Sequence, residues 1–591
     1  MRGTDRRIDV LIALCLALAI ALPYARALPG PFVFDDVSAI VANETIHSLH
    51  PLGRVLAQPP DLTISGRPLA ALSLALNWAA GGLDPRGYRL ANGLLHWLAA
   101  LLVFGVTRRT LGSPRLGPRF GAHARGFAFA AALLFAVHPL ASEVVCYVTA
   151  RTESLMAVCY LGALYCAIRA RDSARPRGWV AGAIASSALG MGAKEVMVSA
   201  PLVIALHDAV FWGRAEGGAR RVRIATWSGL ALSWGVLAHL VLQAPRAQSA
   251  GFEHWVTPLA YLANQCRVLP HYLWLVVVPD PLILDYGNPD PLAPAEVWPG
   301  FALLAGLFAL SVYALRRWPA AGCVGVACFA ILAPSSSVVP IASEVGADRR
   351  MYLPLAALIA LGVTVTRPWL ARANARWLGP VLAGVLALAL GARSFARAGD
   401  YESAVELWRA DVEAQPMNRR AHYNLAKALE AEGRATESQA ELTAAVLSEI
   451  EYYERVLPLQ PDPVSARVDL GALHELAGRT RRAEELYSDA LSRAPDDPYV
   501  LRRMARFLLR GDADPQSLAE ARRFAERAVA VTERRDAAAL EALAAVQFAS
   551  QERDAAITTL EEALATDPAG QTPRVLERIR ERLALEASAP Y

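Results

Sequence analysis

The sequence predicts an all-α protein in two parts, a polytopic bundle of about eleven membrane-spanning helices followed by a helical-repeat solenoid. Three observations carry that prediction. Apolar runs long enough to cross a hydrocarbon core of roughly 30 Å recur through residues 1–398. Beyond that boundary the chain turns rich in Ala, Glu and Arg and holds no run of spanning length. In this second part, 399–591, apolar and small residues return at helical spacing inside a longer period.

Composition agrees with a membrane class. Of 591 residues, 54% are hydrophobic and only 19% charged, and the mean hydropathy is +0.28. These values exclude a disordered chain and a nucleic-acid-binding one. The net charge of +4 decides nothing, whereas the distribution of charge is informative. Cys15, Cys146, Cys159, Cys166, Cys266, Cys323 and Cys328 show no metal-ligand spacing and read as apolar helix fillers.

The expected spans are 9–27, 89–106, 126–138, 153–170, 178–193, 196–212, 224–243, 299–315, 319–334, 351–366 and 377–393. Basic clusters alternate with less basic loops. They are Arg2/Arg6/Arg7, Arg108/Arg109/Arg115/Arg119/Arg125, Arg169/Arg171/Arg175/Arg177, Arg214/Arg220/Arg221/Arg223, Arg316/Arg317 and Arg367/Arg372/Arg376. The positive-inside rule places all of them in the cytoplasm, with the N-terminus. The apolar segment 259–278 would break this order if it spanned. It carries Asn264, Gln265, Arg267 and His271, costly against lipid, so it is expected in the outer interface or packed in an external loop. An odd number of spans then leaves the repeats outside. Ala25-Arg26-Ala27 resembles a signal-peptidase site, but the length of the first apolar stretch favours a retained anchor.

The repeat is clearest in "ARVDLGALHELAGRTRRAEELYSDALSRAP". Leu470-Gly471 let two helices approach, Gly478 breaks the chain, Ala483 and Ala490 pack closely, and Pro495 ends the unit. Ala505 follows Gly471 by 34 residues, the tetratricopeptide period. "AHYNLAKALEAEGR" opens an earlier unit, "DAAITTLEEALATDP" closes a later one, and 434–457 reads as an extended second helix. Such solenoids bind a protein or extended peptide on the concave face, or serve as an architectural cap.

Ionisable residues gather at the outer ends of the spans instead of mid-membrane, where a transporter would keep them. "FVFDDVSAIVAN" carries Asp35 and Asp36. "SGRPLAALSLALNWAAGGLDP" sets an interfacial helix beside Arg67. "VHPLASEVVCYVTARTES" carries His138, Glu143, Arg151 and Glu153; "MGAKEVM" carries Lys194 and Glu195; "SEVGADRRMYLP" carries Glu344, Asp348, Arg349 and Arg350. Lys194 is one of only two lysines among 59 basic residues, which suggests a need for a compact, tunable ammonium. An interface-snorkelling lysine is the plainer reading of it taken alone. One Asp pair alone is more often a helix cap. Four clusters on one side of a bilayer, each with a desolvation cost, point to a shared site.

At these residues the chain resembles the transmembrane and tetratricopeptide repeat-containing proteins. The resemblance rests on "FDDVSAIVANETI", "GRPLAALSLALNWAAGGLDPRGYRLANGLLHWLAALLVF", "HPLASEVVCYVTARTESL", "AKE" and "DRRMYLP", on their order, and on the repeats. The short repeat array and the weakened first repeat depart from the family pattern. The resemblance implies a GT-C-like membrane fold related to protein O-mannosyltransferases. It further implies inverting transfer of a sugar, typically mannose, from a polyprenyl phosphate carrier to Ser or Thr hydroxyls. In that chemistry Asp36 or Asp35 supplies the general base, and Arg151, Lys194, Arg349 and Arg350 meet the departing phosphate. His138, Glu143, Glu153, Glu195 and Asp348 orient these groups or the sugar. Asn92 and His96 open the second span, with core packing as their expected role. No cofactor is expected, and the Asp pair with Glu143 is the one group that could hold a divalent ion. The expected partners are a polyprenyl phosphate sugar, an acceptor protein on the repeats and membrane lipid, without nucleic acid. The expected location is a bacterial inner membrane with the repeats in the periplasm. A lipid or envelope-glycan acceptor is the nearest alternative, and a non-catalytic scaffold is the alternative of another class.

Overall fold

In the computed structural model the described residues are 2–60, 62–213, 216–243, 257–337, 340–341, 344–368, 377–459, 464–510 and 514–567. The chain forms two compact units, Met1–Glu441 and Leu442–Tyr591. The membrane helices of the first are α1 (Arg2–Tyr24), α2 (Pro68–Gly81), α3 (Pro85–Leu111), α4 (Ala124–Ala136), α5 (Ser142–Cys146), α6 (Arg151–Asp172), α7 (Pro176–Met191), α8 (Ala200–Phe211), α9 (Gly217–Leu232), α10 (Trp234–Gln243), α11 (Pro258–Val277), α12 (Pro294–Arg317), α13 (Pro319–Leu332), α14 (Tyr352–Val365) and α15 (Leu378–Asp400). Two repeat helices follow in the same unit, α16 (Ala404–Ala414) and α17 (Arg419–Ala431).

Among the described residues six segments are long and apolar enough to cross a bilayer: Arg6–Ala27, Pro85–Leu111, Val148–Asp172, Gly217–Gln243, Pro294–Arg317 and Leu378–Asp400. A seventh arises if Gly117–Ala136 and Pro139–Cys146, bent by 57°, count as one. The expectation of eleven is therefore not reached on length and composition. The remaining apolar segments fold into the shorter helices α7, α8, α13 and α14, of 16, 12, 14 and 14 residues. The reason is local. The apolar runs before α8 and α14 begin as 3-10 turns, Glu195–Ser199 and Asp348–Met351.

Ion pairs fix the direction of the helices. Asp9 at the start of α1 holds Arg108 at the end of α3 (3.1 Å) and Arg125 at the start of α4 (3.4 Å). Asp208 at the end of α8 holds Arg171 from α6 (3.0 Å) and Arg223 from α9 (2.7 Å). Arg367, just past α14, stands 5.3 Å from the Phe120 ring. Arg108, Arg125, Arg171, Arg223 and Arg367, from four of the basic clusters, thus gather toward one end of the bundle. Arg372 and Arg376 lie outside the described residues.

Helix α11 covers nearly all of the disputed segment 259–278, and three of its polar ties run to the opposite end. Tyr261 donates to the Ser335 carbonyl (2.8 Å), Gln265 to that of Val345 (2.9 Å), and the Val276 carbonyl meets His138 (3.1 Å). Asn264 and Gln265 face the protein, so their amides escape lipid. Gly300 on α12 seats the two helices: a Cβ there would lie 1.7 Å from the Cys266 carbonyl oxygen.

The composition changes near residue 400, but packing continues past it. Tyr401, Leu407 and Trp408 are buried in the same core as α1 and α6. In the second unit the expected repeat signals hold. A Cβ on Gly471 would press to 2.7 Å from the Tyr487 ring, and Gly478 takes φ +73° where its helix ends. Ala483, Ala490 and Ala505 are fully buried. The extended helix expected over 434–457 is the 22-residue Ala435–Val456.

Candidate active site

The end opposite the basic clusters collects all four acidic and cationic motifs. After α1 the chain turns at Phe34, whose φ of +52° is unusual for a bulky residue. The turn sends the two following carboxylates to different surroundings. Asp36 is fully buried; its Oδ1 accepts the Thr149 amide (2.8 Å) and its Oδ2 the Val33 amide (3.2 Å). Burial pushes its carboxyl up to about 6, opposed by those two amides and by Arg89. Asp36 therefore clips the turn to the segment 148–150 instead of presenting a free base.

Asp35 is half-buried, and its amide donates to the Tyr147 hydroxyl (3.2 Å). Burial raises its carboxyl; a Tyr147 hydrogen bond, Arg349 and Arg420 lower it, while Glu344 raises it. It is the member of the pair that faces cations without being consumed by a backbone bond.

Arg349 is the centre of the cationic side. It donates to Glu143 Oε1 (2.5 Å), pairs with Glu344, and stands 6.0 Å from the Tyr147 ring centroid. Glu344 is pulled down to about 2: burial raises it, but Arg349, Arg350 and Lys194 more than reverse that. Lys194 pairs with Glu153. Burial lowers its ammonium, Glu153 raises it, and Arg67 and Arg349 lower it again. Glu195 turns instead to Arg67 (3.0 Å). Asp35, Glu143, Glu153, Lys194 and Arg349 thus form one charged neighbourhood drawn from four loops.

Other expected site residues are engaged in holding the loops. Arg151 is buried and donates to Asn92 (2.7 Å), Asn77 (2.5 Å), and the carbonyls of Ser73 (3.1 Å) and Tyr88 (2.7 Å). Arg350 donates to Tyr261 (3.1 Å), the Ser335 carbonyl (3.0 Å) and the Glu344 carbonyl (2.9 Å). Asp348 accepts the Ile283 amide (3.0 Å) and the Tyr286 hydroxyl (2.5 Å), with burial pushing it up to about 7. His138 caps a 3-10 turn through the Leu140 amide (3.3 Å). Asn92 and His96 pack inside, as expected. Among the described residues no three His, Cys, Asp or Glu side chains gather as a metal site, and Asp36 and Glu143 point to different partners.

Three contributors carried no signal of their own in the sequence. Tyr147 links Asp35 and Arg349. Arg89 gathers the carbonyls of Gly30, Pro31 and Cys146 beneath Asp36. Arg420 comes from the repeats, and only its position after the Asn418 cap could have marked it.

Tetratricopeptide repeat models match residues 390–448 and 464–507. Protein O-mannosyl-transferase Tmtc1 of Drosophila melanogaster is 37% identical over 207 residues, 34% of this chain and 23% of that protein. Protein O-mannosyl-transferase Tmtc2 of the same organism is 32% identical over 308 residues, 49% of this chain and 31% of that protein. A crystal structure of ArnT from Cupriavidus metallidurans in the apo state aligns at 18% identity with a TM-score of 0.39, covering 76% of each chain. The chain spans well under half the length of these two curated relatives. With a many-helix membrane unit and repeats after it, the chain is similar over these stretches to the two protein O-mannosyl-transferases and carries tetratricopeptide repeats.

Proposed function

We propose that the chain is a membrane glycosyltransferase that moves a sugar, mannose by analogy with its relatives, from a polyprenyl phosphate to Ser or Thr hydroxyls of exported proteins. The observation that carries this is Asp35, a half-buried carboxylate beside Tyr147 and facing the Arg349 cation. In the step, Asp35 takes the proton of the acceptor hydroxyl as its oxygen attacks the anomeric carbon. The bond from that carbon to the phosphate oxygen breaks on the opposite face, with inversion. The electron pair leaves with the polyprenyl phosphate, whose new charge Arg349 and Lys194 meet. Glu143, Glu153 and Glu344 hold those cations in place beforehand, so little reorganisation remains for the transition state.

The reading assigns catalysis to residues 1–398 and acceptor recruitment to 399–591, in a bacterial inner membrane. The basic end is cytoplasmic with the N-terminus, and the site and the repeats are periplasmic. A lipid or envelope-glycan acceptor keeps the same site and differs only in the nucleophile. Mass spectrometry of exported proteins with and without the gene tests the assignment. Loss of hexose from Ser/Thr peptides supports it; unchanged peptides with altered envelope glycans favour the second acceptor; no change in either leaves the scaffold reading.

A further inference from the structure

The first repeat is joined to the membrane unit on the side where Asp35 lies. Asp411 on α16 accepts the amides of Leu284 (3.0 Å) and Asp285 (2.9 Å) from the segment between α11 and α12. Asn418, the cap of α17, donates to the Asp285 carbonyl (2.6 Å). These bonds fix Arg420 two residues further on. Its Nε donates to Asp285 Oδ2 (2.5 Å), and a second bond joins its terminal nitrogen to Oδ1. A guanidinium held by two parallel bonds to a buried carboxylate has little freedom left.

The fixed cation stands over Phe34, 5.7 Å from the ring centroid. Trp408 of the same repeat meets that ring edge-on at 5.4 Å, and Tyr147 lies on it at 6.3 Å. Phe34 is the residue with positive φ immediately before Asp35. A bulky side chain in that conformation is strained and persists only where its surroundings enforce it. Trp408 and Arg420 belong to those surroundings, and both come from the repeat.

We propose that Arg420 is a positioning residue of the transfer site, through which the first repeat sets the place and charge of Asp35. The inference rests on the reading of Asp35 as general base. Arg420 acts in two ways. It clamps Phe34, which fixes the backbone that carries the carboxylate. It also adds positive potential to a carboxylate otherwise faced by Tyr147, Arg349 and Glu344. Arg349 and Arg420 favour the ionised base, whereas burial and Glu344 oppose it. Asp285 neutralises part of the Arg420 charge, so the electrostatic effect on Asp35 is modest.

The test is the pH profile of kcat/KM for the full chain in detergent, with a mannosyl polyprenyl phosphate and a Ser/Thr-rich peptide. Four variants are compared: Arg420→Met, Arg420→Lys, Arg420→Met with Asp285→Asn, and Asp35→Asn. The double variant removes the cation without leaving a buried carboxylate unpaired. Loss of Arg420 removes a charge that favours ionised Asp35, so the acidic limb moves to higher pH, by about half a unit to one unit. The expected result is that shift, with reduced kcat, in both methionine variants, and a limb near the wild-type position in Arg420→Lys. A uniform fall in rate with the limb unmoved would overturn the inference while leaving the base reading intact, provided Asp35→Asn is inactive. A wild-type rate no higher than that of Asp35→Asn would overturn both.

Discussion

Arg349 and Glu143, 206 residues apart, are joined twice: the Arg349 amide donates to Glu143 Oε2 (2.8 Å) and its guanidinium to Oε1 (2.5 Å). One carboxylate therefore fixes both the backbone and the side chain of the cation. The bond ties the turn before α14 to α5, so the cation keeps one place relative to Asp35. Removing the cation leaves a buried carboxylate uncompensated. Arg349→Met is expected to cost about 3 to 5 kcal/mol of stability and to abolish transfer. Thermal unfolding in detergent measures the first effect. A melting temperature equal to that of wild type would refute the pairing.

The two adjacent aspartates are expected to separate cleanly. Asp35→Asn removes the base and should lower the rate by a factor of about 10² to 10⁴, with melting unchanged. Asp36→Asn keeps one of two acceptors and should cost roughly 1 to 3 kcal/mol, with residual transfer in the folded fraction. The reverse pattern, inactive but stable Asp36→Asn beside active Asp35→Asn, would move the base to Asp36.

Glu344 gives a pH signature. Its folded carboxyl sits at about 2, below the ordinary 4.5, because the surrounding cations outweigh burial. A depressed value means that the stabilisation is complete above the ordinary value and fades as pH falls toward 2. The stability gap between wild type and Glu344→Gln should therefore be widest above about pH 5 and should close in acid. A gap that widens in acid would mean that the cations do not hold Glu344 ionised.

Sidedness is open to fusion reporters. A reporter active only outside the cytoplasm should be active when fused after Arg397 and silent when fused after Arg221. Silence after Arg397 would mean that α11 crosses the membrane, despite its ties to Ser335, Val345 and His138.

Much of this site was legible in the sequence because buried charge is costly, so its recurrence at span ends carries information. Lys194, singled out by its rarity, lies in the same charged neighbourhood as Arg349. Its partner, however, is Glu153 and not the adjacent Glu195. Arg151 shows why pairing is not legible. It lies in a motif beside Glu153, yet Ser73, Asn77, Tyr88 and Asn92 absorb its guanidinium from up to 78 residues away. Adjacent aspartates carry no mark of orientation either; the positive φ at Phe34 decides it. Two of the expected spans become shorter helices because hydropathy does not separate an α-helix from the 3-10 turn leading into it.

The carboxylate of Asp411, capping the Leu284 and Asp285 amides, has a consequence for how such proteins can be recombined. A graft that exchanged the whole repeat array at the change of composition would discard that cap, bare two buried amides, and strip Trp408 from Phe34. The workable seam for swapping repeat arrays among relatives lies beyond Val456, where the helix that straddles Glu441 ends, so that each membrane unit keeps its own first repeat and only the distal ones are interchangeable parts.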